Sequence, residues 1–256
     1  MNLNITLLSD WRLRDPYVAM LKGRLMSAFP HANIVDITHY VDKFNLLQTA
    51  LLMKNSYRSF PDGSIHLMLT NMSLNDSFSP VMLENDGHYF IGEDNGIFHL
   101  MFGQEILLKG FQLTDNKENT LGQILQLIQS VNEGTISTST SEYLKFKRMF
   151  TEQPEHSIQE KHIEGQIVYI DAFNNAVTNI TSKMFDENVK GKRFTATIQS
   201  KGSWTVQKYY EQYHDSYDEM YLCTNALGLI EVSLFRSDVA VLADLEPGDK
   251  ITISYE

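Results

Sequence analysis

The feature that most constrains this chain is a change of apolar rhythm part-way along it. Up to about residue 70, short apolar runs alternate with stretches of helical spacing. Asn4–Leu8 ends in Ser9-Asp10 and gives way to Tyr17, Met20, Leu21, Leu25, Met26 and Phe29. Residues 32–38 read as a strand, and Phe44, Leu47, Ala50, Leu51 and Phe60 follow a second helical period that stops before Pro61-Asp62-Gly63. Residues 65–69 form a third apolar run. Strands separated by helices require right-handed crossovers, which predicts a mainly parallel sheet covered on both faces.

From Pro80 the rhythm shortens. Residues 81–84, 88–91 and 97–102 are brief apolar segments separated by Asp86-Gly87 and Asn95-Gly96, both hairpin-turn signals. A last helical pattern, Ile124, Leu125, Leu127, Ile128 and Val131, runs to Gly134. Residues 135–159 carry a Ser/Thr run and then mixed charge with Pro154, and read as a connecting stretch. Beyond it, residues 165–180, 193–198, 220–223, 228–235 and 250–255 are closely spaced strands with one short helical candidate at 239–245, the pattern of a small β-barrel or sandwich. The expected division is an α/β domain over 1–145, a connector over 146–162 and a β domain over 163–256.

Charge and composition narrow the function. The formal charge of −11 repels a phosphate backbone, so nucleic acid is not an expected partner. No apolar run approaches the roughly 20 residues of a membrane helix, and no leader pattern opens the sequence. A single cysteine, Cys223, excludes an internal disulfide and a thiolate metal cluster, which suits a reducing, cytoplasmic setting. The eight histidines never fall at a spacing that sets two imidazoles on one face, so no metal site is expected, and His39 reads as a structural histidine. GxSxG, P-loop and GxGxxG sequences are all missing.

Two places carry ligand chemistry. Asp10 follows the first strand, where open α/β sheets place their ligands, and a carboxylate there accepts both hydroxyls of a ribose; Asp15, before Pro16, reads as a helix cap in preference to a ligand residue. In the second half, Tyr169-Ile170-Asp171-Ala172-Phe173-Asn174-Asn175 sets a carboxylate, a ring and amides between apolar runs. It reads either as a hairpin whose Asn residues supply the left-handed turn, or as a purine site with Phe173 stacked on the base.

These residues, taken with Arg14-Asp15-Pro16-Tyr17-Val18, Ile34-Val35-Asp36-Ile37-Thr38-His39, Asp86-Gly87-His88-Tyr89-Phe90, Asp94-Asn95-Gly96 and Thr178-Asn179-Ile180, resemble the S-adenosylmethionine hydroxide adenosyltransferases, relatives of the S-adenosylmethionine-dependent fluorinases and chlorinases. The resemblance spans nearly the whole chain. It implies a Rossmann-like N-terminal domain, a C-terminal β-barrel, and a homotrimer with S-adenosylmethionine held between subunits. It also implies that Asp10 holds the ribose, Phe44 stands as an aromatic against the ligand, Asp171 pairs with the methionine ammonium, and Asn175 reads adenine. The implied reaction is attack of water or hydroxide at C5′, releasing adenosine and methionine with no cofactor.

The sequence departs from the family pattern at the attacking water. The family's Asp-Pro-Gly-Val-Gly loop reads Asn71-Met72-Ser73-Leu74-Asn75 here, the following Arg position falls near Phe78, and the family's Phe-His-Gly-Arg-Asp block reads Asn119-Thr120-Leu121-Gly122-Gln123. Asn71 and Thr120 are left as candidates to orient water by hydrogen bonds, since neither takes a proton as a carboxylate does. Asn71 and Leu121 also stand where the halogenases carry a pocket Tyr and Ser. Ala226 and Leu227 replace a Ser-Arg pair that holds the methionine carboxylate, with Arg236 as a substitute. Two further readings follow from these losses: a relative that binds the nucleoside without cleaving it, and a scaffold that binds nothing of this class.

Overall fold

The computed structural model describes residues 3–73, 79–103, 109–115, 117–149, 153–215 and 219–256. The chain divides into two compact units, Met1–Thr151 and Glu152–Glu256.

In the first unit, β1 (Asn4–Leu8), α1 (Tyr17–Ala28), β2 (Asn33–Thr38), α2 (Leu46–Ser56) and β3 (Ile65–Met68) realise the strand and helix alternation. They are followed by β4 (Val81–Asn85), β5 (His88–Gly92), α3 (Ile97–Phe102), β6 (Lys109–Leu113), α4 (Thr120–Asn132), α5 (Ile136–Ser139) and β7 (Thr140–Tyr143). The sheet order is β2-β1-β3-β5-β4-β6-β7. It is mixed, not mainly parallel: β2, β1, β3 and β5 pair in parallel, whereas β4, β6 and β7 join antiparallel. The cause is the Asp86-Gly87 turn, where both residues have positive φ and Asn85 pairs with His88, so β4 runs back along β5.

The other turn signal behaves differently. Gly96, at φ 104°, precedes α3, and residues 97–102 form that helix where a strand was expected. A Cβ at Gly96 would lie 2.7 Å from the Met149 side chain, so the glycine serves a close approach as well as the turn. The Ser/Thr run forms α5 and β7 instead of a bare connector, with β7 paired to β6. Asp15 does not cap α1; Pro16 holds the cap position without a side-chain bond.

Side chains alternate across this sheet. Ile5, Leu7, Ile65 and Leu67 pack with Leu21 and Leu25 of α1 and Ile124, Leu127 and Ile128 of α4. On the other face Leu8, Met68 and Phe90 pack with Ala50 and Met53 of α2 and Ile97, Phe98 and Met101 of α3.

The second unit comprises β8 (Glu155–Ser157), β9 (His162–Ile170), β10 (Ala176–Thr181), α6 (Ser182–Asn188), β11 (Phe194–Gln199), β12 (Ser203–Val206), β13 (Tyr209–Tyr210), β14 (Tyr221–Thr224), β15 (Leu229–Ser233), α7 (Val239–Leu242) and β16 (Lys250–Tyr255). Its sheet, ordered β12-β11-β16-β9-β10-β15-β14-β13 with β8 beside β9, is a curled half-barrel. Strand β9 changes partner along its length, pairing with β16 over residues 162–166 and with β10 over 167–170. At the changeover a Cβ on Gly165 would stand 2.6 Å from Asn179 and Ile180, which only glycine avoids. Helix α6 is unforeseen by apolar spacing; its start is marked by Thr181, whose Oγ1 accepts the Met184 amide.

A buried polar row crosses the α2 and α3 face of the first sheet. His66 Nδ1 lies 2.7 Å from Thr6 Oγ1, and His66 Nε2 lies 3.1 Å from His88 Nδ1, with the Phe90 ring stacked on His66. Burial, helped by His88, pushes the His66 imidazole down to about 3. The unfolded chain then binds a proton that the folded chain does not, so stability is complete above about pH 6.5 and falls as the pH drops towards 3. At pH 4 this one group costs on the order of 3 kcal/mol. Chemical denaturation across pH 4–7 is expected to show a steeper loss in the wild type than in His66→Gln; equal slopes would exclude this row as the cause.

Candidate functional site

The parallel strands end together, and their loops converge on Asp10. The Ser9 amide donates to Thr38 and the Leu69 amide to Leu8, which brings the ends of β1, β2 and β3 side by side. Asp10 is buried there, and its Oδ2 accepts the amides of Phe44 at 3.0 Å and of Asn71 at 3.2 Å. Among the described residues Oδ1 accepts nothing from the protein, which leaves it for a ligand.

Both donors hold strained backbone. Phe44 has φ 64° and Asn71 φ 56°, the left-handed region that costs a β-carbon-bearing residue about 1 kcal/mol or more. A charge-assisted hydrogen bond from each amide to the buried carboxylate offsets that cost. The Phe44 ring is 67% exposed, the position of a side chain offered to something outside the core. The structure thus brings together Asp10, Phe44 and Asn71, which lie 34 and 61 positions apart in sequence.

Beside this cluster runs a groove of about 740 Å³ lined by Trp11, Tyr17, Met20, Met72, Asn119 and Leu121 among others. Trp11 Nε1 donates to the Met72 carbonyl at 3.3 Å and ties the loop after β1 to the loop after β3. Thr120 is fully buried at the start of α4, while its neighbours Asn119 and Leu121 face the groove. Phe78 lies outside the described residues, as do Leu74 and Asn75 of the same loop. The groove residues Trp11 and Met72 carried no signal in the sequence, because neither their type nor their spacing announces a loop crossing.

In the second unit the β9–β10 turn is organised by Asp171. Its Oδ1 accepts the amides of Phe173 and Asn175, both at 2.8 Å, and its Oδ2 accepts the Asn175 side-chain amide at 3.2 Å. Asn174 supplies the left-handed residue at φ 57°, and its side chain donates to Asp238. Asp171 and Asn175 therefore build the hairpin, and the turn holds Phe173 outward at 77% exposure. Val241 and Leu242 of α7 are also exposed, and the Ala240 amide donates to the Asn174 carbonyl.

Behind the turn, one sheet face is polar and buried. Tyr169 and Glu231 flank Val177 across β9, β10 and β15, and Cys223 follows on β14. Glu231 accepts from Ser233 at 2.9 Å; burial raises its carboxyl above the usual range and pushes the Cys223 thiol to about 12. Ala226 and Leu227 lie in the turn before Gly228, where Asn225 Oδ1 accepts the Leu227 and Leu229 amides. Arg236 is exposed, with its guanidinium over the Phe235 ring. Among the described residues no group of three metal-ligating side chains gathers.

The Asp10 arrangement fixes two opposite stability effects. Phe44→Gly is expected to raise the unfolding free energy by about 0.5–1 kcal/mol by relieving the left-handed strain. Asp10→Ala is expected to lower it by about 2 kcal/mol by stranding two amides. Urea titration of both variants checks this; a destabilised Phe44→Gly would mean the strain is not stored at that residue.

Comparison with known proteins identifies the family of the chain. Residues 5–130 match the N-terminal domain of the S-adenosylmethionine hydroxide adenosyltransferases, and residues 165–252 match the C-terminal domain. The (R)-S-adenosyl-L-methionine hydrolase of Methanocaldococcus jannaschii is 22% identical over 261 residues, covering 98% of this chain and 95% of that protein. The (R)-S-adenosyl-L-methionine hydrolase of Thermus thermophilus is 30% identical over 93 residues, 36% of each chain. Among solved structures, an uncharacterized conserved protein from Thermotoga maritima superposes with TM-score 0.82 at 18% identity, covering 98% of this chain and 99% of its own. A conserved hypothetical protein from Thermus thermophilus superposes with TM-score 0.73 at 20% identity, covering 99% of this chain and all of its own. With both family domains matched in order over most of its length, the chain belongs to the S-adenosylmethionine hydroxide adenosyltransferase family.

Proposed function

We propose that this protein cleaves S-adenosylmethionine to adenosine and methionine. The observation that carries the reading is the Asp10 carboxylate, whose Oδ2 is fixed by two amides while Oδ1 takes none among the described residues. A ribose diol is the chemistry such an oxygen suits, since hydroxyls donate and a carboxylate only accepts. Asp171 pairs with the methionine ammonium, Asn175 reads the adenine edge, and Phe44 and Phe173 supply the exposed rings against which the nucleoside packs.

In the reaction a water oxygen forms a bond to C5′ as the C5′–S bond breaks. The bonding pair passes to the sulfonium, which leaves as the neutral thioether of methionine, and the water releases a proton to solvent as it becomes the 5′-hydroxyl. The leaving group is already activated by its charge, so neither metal nor cofactor is required. What remains for the protein is to hold water in line and exclude competitors. Asn71 is exposed beside Asp10 and orients water through its amide without accepting the proton, whereas Thr120, fully buried at the start of α4, does not present its hydroxyl to the groove.

The parallel half of the first sheet, with helices on both faces, supports a Rossmann-like reading, and the curled second sheet supports a β-barrel. Exposed apolar side chains on each unit support a homotrimer with its sites between subunits: Leu13, Tyr17, Met20 and Tyr40 on the first, Phe173, Val241 and Leu242 on the second. The buried, unpaired Cys223 suits a reducing cytoplasm, and among the described residues no helix is long and apolar enough to cross a membrane.

Incubation of purified protein with S-adenosylmethionine in ¹⁸O-water tests the reading. Adenosine in excess of one equivalent per subunit, labelled at the 5′-oxygen, is expected; intact nucleoside retained without product would make the protein a binder only. Sedimentation is expected to give three times the 29.4 kDa chain, and a monomer would remove the shared site. Asn71→Asp returns a carboxylate to the water loop and is expected to raise turnover; an unchanged rate would mean that Asn71 does not face the water.

A further inference from the structure

The mechanism leaves unused a buried polar chain behind Asp10. His39 stands just past the end of β2 and is 2% exposed, and its two ring nitrogens face different partners. Nδ1 lies 2.7 Å from Ser9 Oγ, and Nε2 lies 3.2 Å from Asp36 Oδ1, off the line of an ideal hydrogen bond. Asp36 accepts from Lys22 Nζ at 2.6 Å, so its carboxylate stays charged. Among the described residues no hydrogen-bond partner reaches Nε2, and Asp36 Oδ1 is the charged group beside it.

A carboxylate only accepts, so the charge of Asp36 Oδ1 favours the imidazole hydrogen on Nε2, and in that tautomer Nδ1 presents its lone pair to Ser9. Ser9 Oγ then donates to Nδ1 and keeps its own lone pairs for the Trp11 amide, 3.3 Å away. The Arg12 amide donates to the His39 carbonyl at 2.8 Å, and Arg12 itself is left-handed at φ 63°. Asp10 sits between Ser9 and Trp11, so both its neighbours are anchored to this chain while its carboxylate reaches the other way, to Phe44 and Asn71.

We infer that His39, held as the Nε2–H tautomer by Asp36, is a positioning residue that sets the Asp10 carboxylate through Ser9. It touches no reacting atom. Its consequence for turnover rests on the proposed role of Asp10, but the positioning itself is readable without ligand. The chain also gives Asp36, exposed on β2, a hold on a site it does not touch.

The test compares wild type with Ser9→Ala, Asp36→Ala and the double variant in the full-length protein. The Ser9 and Asp36 side chains share no hydrogen bond, and the imidazole is the side chain that touches both, so side-chain coupling between them passes through it. Nitrogen-15 spectra are expected to show His39 as Nε2–H in the wild type and as a mixture of tautomers in Asp36→Ala. The amide signals of Phe44 and Asn71 should move in both single variants. KM for S-adenosylmethionine should rise roughly three- to tenfold with a smaller change in kcat, and the double variant should be no worse than the worse single. Unmoved Phe44 and Asn71 amides would overturn the inference, as would additive KM effects or losses that follow melting temperature alone. If the wild type releases no adenosine, the proposed activity fails, while the tautomer and the two amides still decide the positioning role.

Discussion

One buried carboxylate gathers the functional end of the first unit. Asp10 accepts amides from two loops that the chain reaches only after long excursions, and those two donors are residues in left-handed backbone. Charge-assisted bonds are among the few interactions strong enough to hold such geometry. The placement follows from the sheet: parallel order puts the ends of β1, β2 and β3 on one edge, so a single side chain there reaches all three loops. Without Asp10 the loops carrying Phe44 and Asn71 lose their common anchor.

The second unit repeats the device. Asp171 binds two backbone amides and one side-chain amide within its own turn, and the exposed ring of Phe173 is the product of that rigidity. In both units a carboxylate expected to meet the ligand is already partly committed to the fold. This is preorganisation in physical form: much of the ordering is done before the ligand arrives, so little is left to be done at the moment of binding. It also fits a site in which Asn71 stands where a proton-accepting carboxylate would, since rate must then come from placement.

Much of this was legible in the sequence. The alternation of strands and helices, the Asp86-Gly87 hairpin and the clustered strands of the second half all follow from apolar period and turn chemistry. Asn95-Gly96 misled because a left-handed glycine can open a helix as well as close a hairpin, and only packing against Met149 decides between them. His39 reads correctly as a structural histidine, but the histidines' partners are the least readable feature: His66 with His88, and His39 with Ser9, are joined by strand register, which no local spacing encodes. Asp10 and Asp171 were visible as residue types at strand ends. Their backbone duties were not, because an amide donor has no side-chain signature.

The central claim is that the two oxygens of Asp10 have divided duties, one for the fold and one for the nucleoside. A crystal structure of the protein with adenosine tests it most directly. The account expects Oδ2 to keep the Phe44 and Asn71 amides while Oδ1 accepts a ribose hydroxyl. A ribose bound elsewhere, or bound only after both amides are released, would contradict it.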